Sequence, residues 1–131
     1  MEVKLFIPGM PVAKQRPKFF RRGTLTGTYT PKKTVAWENL VALISFPKRP
    51  PGDKMGLPIR AKLIFTLPRP KTLPKRVIYH VKRPDLDNLE KSIWDGMNKI
   101  MFTNDSQIYQ VEKMKVYGDK IGVAVELTYV D

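Results

Sequence analysis

The chain has 131 residues, is 42% hydrophobic, contains no cysteine and one histidine, and sets 24 Lys and Arg against 12 Asp and Glu for a formal charge of +12. Length and apolar content predict a single folded domain over 1–131 with a real core, and argue against a disordered chain. The composition excludes disulfides, thiolate zinc sites, thiol nucleophiles and a multi-histidine cage, so a bound metal would take oxygen ligands, which suits Mg²⁺ or Mn²⁺.

The opening MEVKLFIPGM has no basic stretch followed by an apolar one, so no secretory signal is expected, and no run nears the roughly 18 apolar residues of a membrane span. Val3, Leu5 and Ile7 alternate before Pro8-Gly9, which predicts a strand over 2–7 ending in a turn. Residues 14–31, KQRPKFFRRGTLTGTYTP, interleave cations with Phe19, Phe20 and Tyr29 and are broken by Gly23 and Gly27, the pattern of a long loop or loose hairpin. Thr30 as cap and Pro31 at the first helical position open a helix. Val35, Leu40, Val41 and Ile44 carry helical spacing to Ser45, with Trp37 on a flank. Four prolines and two glycines over 46–58 predict an irregular surface loop. Ile59, Ala61, Leu63, Phe65 and Leu67 alternate with polar positions as a half-buried strand. PRPKTLPKR (68–76) is a second proline-rich basic loop, and Val77, Tyr79 and Val81 predict a short extended piece.

A helix follows from Asp87 to Lys99. Leu86, Leu89, Ile93, Met97 and Ile100 form its apolar stripe, with Asp87, Lys91, Asp95 and Asn98 on a neighbouring line. MFTNDSQI (101–108) is a turn. Strands over 108–117 and 121–130 are expected to pair as a hairpin through Gly118–Gly122. The order β-α-β-(β)-α-β-β predicts an α+β fold.

Charge is unevenly spread. Residues 1–84 hold 19 basic and 3 acidic groups, and residues 85–131 hold 5 basic and 9 acidic. A positive surface of this size attracts polyanions, with nucleic acid the common one; a plain solubility charge is the alternative. Against that background KRPDLDNLEK (82–91) places Asp85 and Asp87 at a helix mouth. Two readings stand open. Asp-x-Asp-Asn is ordinary capping chemistry at the positive end of a helix. The same carboxylates, with Lys91 one turn along and Asp105 returned by the chain, can instead gather round a metal ion.

The run KRPDLDNLEKSIWDGMNKIMFTNDSQI (82–108) resembles the signature of the RusA family of Holliday junction resolvases: a Pro/Arg-Asp-x-Asp-Asn-Leu-x-Lys block, a helix bearing an Asp, and a loop ending Asp-Ser/Ala-Gln-Ile/Val. GMPVAKQRPK and TYTPKKT resemble the N-terminal part of phage and Gram-positive members, so the likeness spans most of the chain. The resemblance implies a RusA-like single domain with a mixed sheet packed by two helices. It implies a homodimer and an endodeoxyribonuclease that resolves four-way junctions by paired symmetric nicks in DNA recombination and repair. By the same resemblance Asp85, Asp87 and Asp105 are catalytic and hold Mg²⁺ (Mn²⁺ substituting), Lys91 is the catalytic lysine, and the helix acid is Asp95. Asn104 stands where some members carry another acid. A cytoplasmic setting in a bacterium, phage or prophage is likewise implied.

Three carboxylates round one point repel too strongly to stay close without a cation. Lys91 is expected to steady charge on the phosphorus or orient the attacking water, or else to pair with Asp87. Asn88 and Asp95 are expected to support the ligands by hydrogen bonding. Lys14, Arg16, Lys18, Arg21, Arg22, Arg69, Lys71, Lys75, Arg76, Lys82 and Arg83 are expected to contact phosphates without reading sequence. Stacking on splayed bases, core packing and interface burial are all open to Phe19, Phe20 and Tyr29. Trp37, Phe46, Trp94 and Phe102 are candidates for a dimer interface. The rival functions are a non-catalytic, structure-selective nucleic-acid binder and a metal nuclease of flaps or other branches.

Overall fold

The computed structural model describes residues 1–15 and 18–131. In chain order the elements are β1 (Glu2–Pro8), β2 (Lys18–Arg22), β3 (Leu25–Tyr29), α1 (Lys32–Ser45), β4 (Ile59–Leu67), α2 (Leu86–Met97), β5 (Ile108–Tyr117) and β6 (Gly122–Tyr129), with short 3-10 turns at Phe46–Lys48, Gly52–Lys54 and Asp105–Gln107. This is the expected α+β domain: a mixed sheet and two helices.

Four strands make the main sheet in the order β1-β6-β4-β5, while β2 and β3 form a two-stranded sheet of their own. β4 runs parallel to β5 and antiparallel to β6, and β6 is antiparallel to β1. The expected hairpin of the last two strands is therefore wrong. β4 lies between them, and residues 118–121 step across its end, where the Gly118 N–H donates to Leu67 O at 3.1 Å. β4 is the most regularly alternating segment in the chain, and a central place gives both of its edges a partner.

One face of the sheet carries the core. Ile59, Leu63 and Phe65 of β4, Val123 and Leu127 of β6, and Ile7 of β1 are fully buried with Leu89, Ile93 and Met97 of α2. The apolar stripe read for α2 is thus its packed face, with Leu86 and Ile100 at the margins. α1 is rotated from its reading: Trp37 and Val41 face the core and Val35 is exposed. Its N-cap is Pro31, without a side-chain cap bond, so Thr30 does not cap it. The extended piece at 77–81 forms only a bridge between Tyr79 and Val116. Of the aromatic set assigned to an interface, Trp37, Trp94 and Phe102 belong to the core; only Phe46 is exposed. No helix among the described residues is long and apolar enough to cross a membrane.

Candidate active site

The N-terminus of α2 is positioned from β5. Lys115 Nζ donates to the carbonyls of Lys82 and Pro84, both at 2.7 Å, and so fixes the segment entering the helix. Asp85 is the N-cap residue in extended conformation, yet its side chain makes no capping bond. The capping reading of the motif therefore does not occupy this carboxylate. It stays exposed on an open cleft of about 560 Å³ shared with Ala13, Lys14, Gln15, Arg83, Pro84 and Asn88. Asn88 is exposed, and its backbone carbonyl accepts from Lys14 N at 2.8 Å.

Two lysine networks flank the helix. On one side Lys113 Nζ meets Asp87 Oδ1 at 2.7 Å and Glu90 Oε1 at 2.6 Å, while Glu90 Oε2 accepts from Trp94 Nε1 at 2.9 Å. The hydrogen bond from Lys113 and then its charge hold the Asp87 carboxyl below its ordinary pKa of 3.8. Burial opposes the charge of Lys113, but Asp87 and Glu90 outweigh it and raise its pKa.

On the other side Lys91 Nζ lies 3.1 Å from Asp95 Oδ1 and 3.4 Å from Asp105 Oδ2. Asp95 Oδ2 in turn meets Lys14 Nζ at 3.1 Å, and Lys14 bonds Glu38 of α1 at 2.7 Å. The hydrogen bond to Asp95 is the main reason that the Lys91 pKa is raised, with Asp105 adding to it. Lys91 does not pair with Asp87, as its alternative role required; Lys113 takes that place.

Asp105 returns to the helix because its turn is tied down twice. Asn104 Oδ1 accepts from Ser106 N at 2.8 Å, and Gln107 Oε1 accepts from Thr103 N at 2.9 Å and Asn104 N at 3.0 Å, a reciprocal capping box. Gln107 Nε2 then donates to Met55 O at 2.8 Å and Leu57 O at 2.9 Å. Asn104 is thus the cap of this turn.

The structure brings Lys91, Asp95 and Asp105 together and sets Asp85 and Asp87 at the mouth of the same helix. Among the described residues no three acidic or histidine side chains converge as a ready metal cage. Instead ammonium groups sit against Asp87 and Asp105, while Asp85 makes no ion pair among the described residues. These three groups are hard carboxylate oxygens on accessible surface, beside a carbonyl-pinned loop, and that donor set fits Mg²⁺ or Mn²⁺.

The cations expected on DNA divide into two kinds. Lys18, Arg21, Arg22, Lys71, Lys75, Arg76, Lys82 and Arg83 are exposed. Lys14 is turned inward to Glu38 and Asp95, and Arg69 donates to Pro74 O and Val77 O and lies over the Tyr117 ring, closing its own loop. Arg16 lies outside the described residues. Lys113, Lys115 and Glu90 escaped the sequence reading. Their roles follow from strand pairing: Lys113 and Lys115 share a face of β5 with Val111 and Tyr117, and Lys113 pairs in register with fully buried Leu63 of β4, so both lysines point inward and need acceptors.

The family model described as Endodeoxyribonuclease RusA matches residues 8–128. An uncharacterized protein YqaN of Bacillus subtilis (strain 168) is 26% identical over 133 aligned positions, covering 94% of this chain and 93% of that protein. A crossover junction endodeoxyribonuclease of Lactococcus phage r1t is 42% identical over 53 positions, 40% of either chain. With the match running from the end of β1 into β6 and taking in both lysine networks, the chain belongs to the RusA endodeoxyribonuclease family and is a nuclease.

Proposed function

We propose that this nuclease acts on four-way DNA junctions, placing paired symmetric nicks as a homodimer with a divalent metal, in the cytoplasm of a bacterium or of a phage-infected host. The observation that carries the reading is the 3.4 Å contact of Lys91 with Asp105, which joins the turn before β5 to the helix that opens with Asp85 and Asp87. The phage relative, a crossover junction endodeoxyribonuclease, supports the choice of substrate.

Asp85, Asp87 and Asp105 would hold Mg²⁺, with Mn²⁺ as substitute; when bound, the ion supplies Lewis-acid activation of the phosphodiester and the attacking water. The chain's own groups do the rest. Lys91 keeps its proton because Asp95 and Asp105 raise its pKa, and its half-exposed ammonium can swing from Asp105 to an oxygen of the phosphate. Lys14 and Glu38 anchor Asp95 and so hold Lys91 in place. Lys113 holds Asp87 ionised. Exposed cations on β2 and in the loop before α2 take the backbone and set its register. One such site cuts one strand, and two related by a twofold axis match the symmetry of a four-way junction.

The test is a synthetic four-way junction, a flap and a linear duplex incubated with wild type and Asp87→Asn in Mg²⁺. Wild type is expected to nick the junction symmetrically and in preference to the flap. Asp87→Asn is expected to bind it with similar affinity and to cut about 100-fold more slowly or less. Wild type that binds and never nicks in Mg²⁺ or Mn²⁺ would make the chain a binding module. Equal cutting of flap and junction would make it a general nuclease of branched DNA.

A further inference from the structure

The β2–β3 hairpin contributes no group to the lysine networks. Its register sorts side chains onto two faces: Lys18 with Tyr29, Phe20 with Gly27 and Arg22 with Leu25 on one, Phe19 with Thr28 and Arg21 with Thr26 on the other. A small hairpin is normally steadied by covering its apolar groups. Here Phe19 is 78% exposed, Leu25 62% and Tyr29 50%. On the first face the Phe20 ring lies across Gly27, where a Cβ would stand only 2.7 Å from Cε1 and 2.8 Å from Cζ. The missing side chain at Gly27 lets the ring lie flat. An open groove of about 570 Å³ results, lined by Phe20, Arg22, Leu25 and Tyr29.

The charge around the groove selects its occupant. Between Glu2 and Glu38 the chain holds eight Lys and Arg and no acid. An aromatic surface lined by Arg22, with Lys18 paired to Tyr29 beside it, suits a partner that offers flat π faces joined by phosphates, which is unpaired DNA. A second copy of the chain would bring the same positive charge against it.

We infer that the Phe20–Tyr29 face of the hairpin is a stacking platform for an unpaired base at the branch of the DNA substrate, with Lys18 and Arg22 on the flanking phosphates. The inference rests on the reading of the chain as a nuclease of branched DNA. It gives the hairpin the choice of branch over duplex, since bases inside a continuous duplex are already stacked and offer no free face.

The experiment places 2-aminopurine at the centre of a four-way junction and follows its emission on binding in EDTA. Linear duplex affinity and circular dichroism are recorded for each variant. Wild type is expected to change the emission. Tyr29→Ala and Phe20→Leu are each expected to abolish that change and to weaken junction binding about tenfold with duplex binding intact, and Phe20→Trp to restore both. Unaltered emission change and affinity in Tyr29→Ala and Phe20→Leu would overturn the platform. So would sedimentation of either variant as a smaller species than wild type, which would make the face a contact between copies. So would binding of wild type to anionic vesicles in competition with DNA, lost in both variants with the emission change retained. Cleavage in Mg²⁺, run in parallel, separates the two readings. Nicking without any emission response defeats only the platform, whereas a response that depends on the hairpin, without nicking, defeats only the nuclease mechanism.

Discussion

Asp87 and Lys113 show how a single side chain sets the state of the site. The ammonium lies 2.7 Å from the carboxylate and holds its pKa below 3.8. Removing it in Lys113→Met is expected to move the Asp87 midpoint upward, measured by carboxyl-carbon NMR titration; an unmoved midpoint would dismiss the pair. The sign for stability follows. Because the folded-state value is the lower one, the pair stabilises above the ordinary carboxylate pKa and loses that contribution as pH falls through the depressed value. Asp87 is exposed, so water screens the gain and it is small. Tyr129 is the opposite case. It is 2% exposed, its hydroxyl donates to Met101 O at 2.6 Å, and burial pushes its pKa to about 12. Tyr129→Phe is expected to cost about 1–2 kcal/mol in urea unfolding by stranding that carbonyl, and unchanged stability would contradict it. At this scale local spacing singled out Asp85, Asp87 and Lys91 and set Asp105 in a turn after the same helix, while the resemblance alone grouped all four as one site. Lys113 stayed hidden, because its role depends on which strand lies beside β5, and no neighbour in the chain encodes that.

The two helices meet at Gly96. A Cβ there would stand 2.7 Å from Val41 Cβ and 3.0 Å from Glu38 O, and neither belongs to a mobile side-chain tip. Alanine favours a helix by about 1 kcal/mol over glycine, but overpacking costs about 1–3 kcal/mol. Gly96→Ala is therefore expected to destabilise the protein by about 1 kcal/mol, with Val41→Ala in the same chain recovering part of the loss. Stability equal to or above wild type would show that α1 and α2 slide apart freely. Elements with strong internal periodicity were readable from sequence: β4 to the residue, and α2 with its packed stripe. The pairing of strands was not. Gly118 and Gly122 flank a stretch with every mark of a tight turn, yet Gly118 crosses the end of β4, where a Cβ would stand 2.8 Å from Thr66 Cγ2. Gly122, with φ of 152°, lies against Ile7 O and the Phe6 ring. Both glycines answer to close approach between distant strands, a cause that local pattern cannot distinguish from a hairpin.

Across the whole molecule, charge and topology are divided along the chain. Residues 1–84 are net +16 and residues 85–131 net −4, so the acidic site is approached through a positive surround. Junction affinity is expected to fall by about 10³–10⁵ between 50 and 200 mM salt if six to ten phosphates are engaged. Arg76→Gln should reduce the slope of log affinity against log salt by about one, whereas Lys14→Met should leave it unchanged because Glu38 and Asp95 already neutralise that ammonium. A flat salt response would remove the basic loops from the interface. The sheet order has its own outcome. β1 is seated only on β6, with Glu2 against Thr128, and β6 is an interior strand. A ribosome therefore releases the basic half of the polypeptide long before the strand that must hold it exists. Synthesis and assembly run in opposite senses: β1 is made well before β6, the strand on which it docks, and such remote pairing predicts slow, all-or-none closure of the domain.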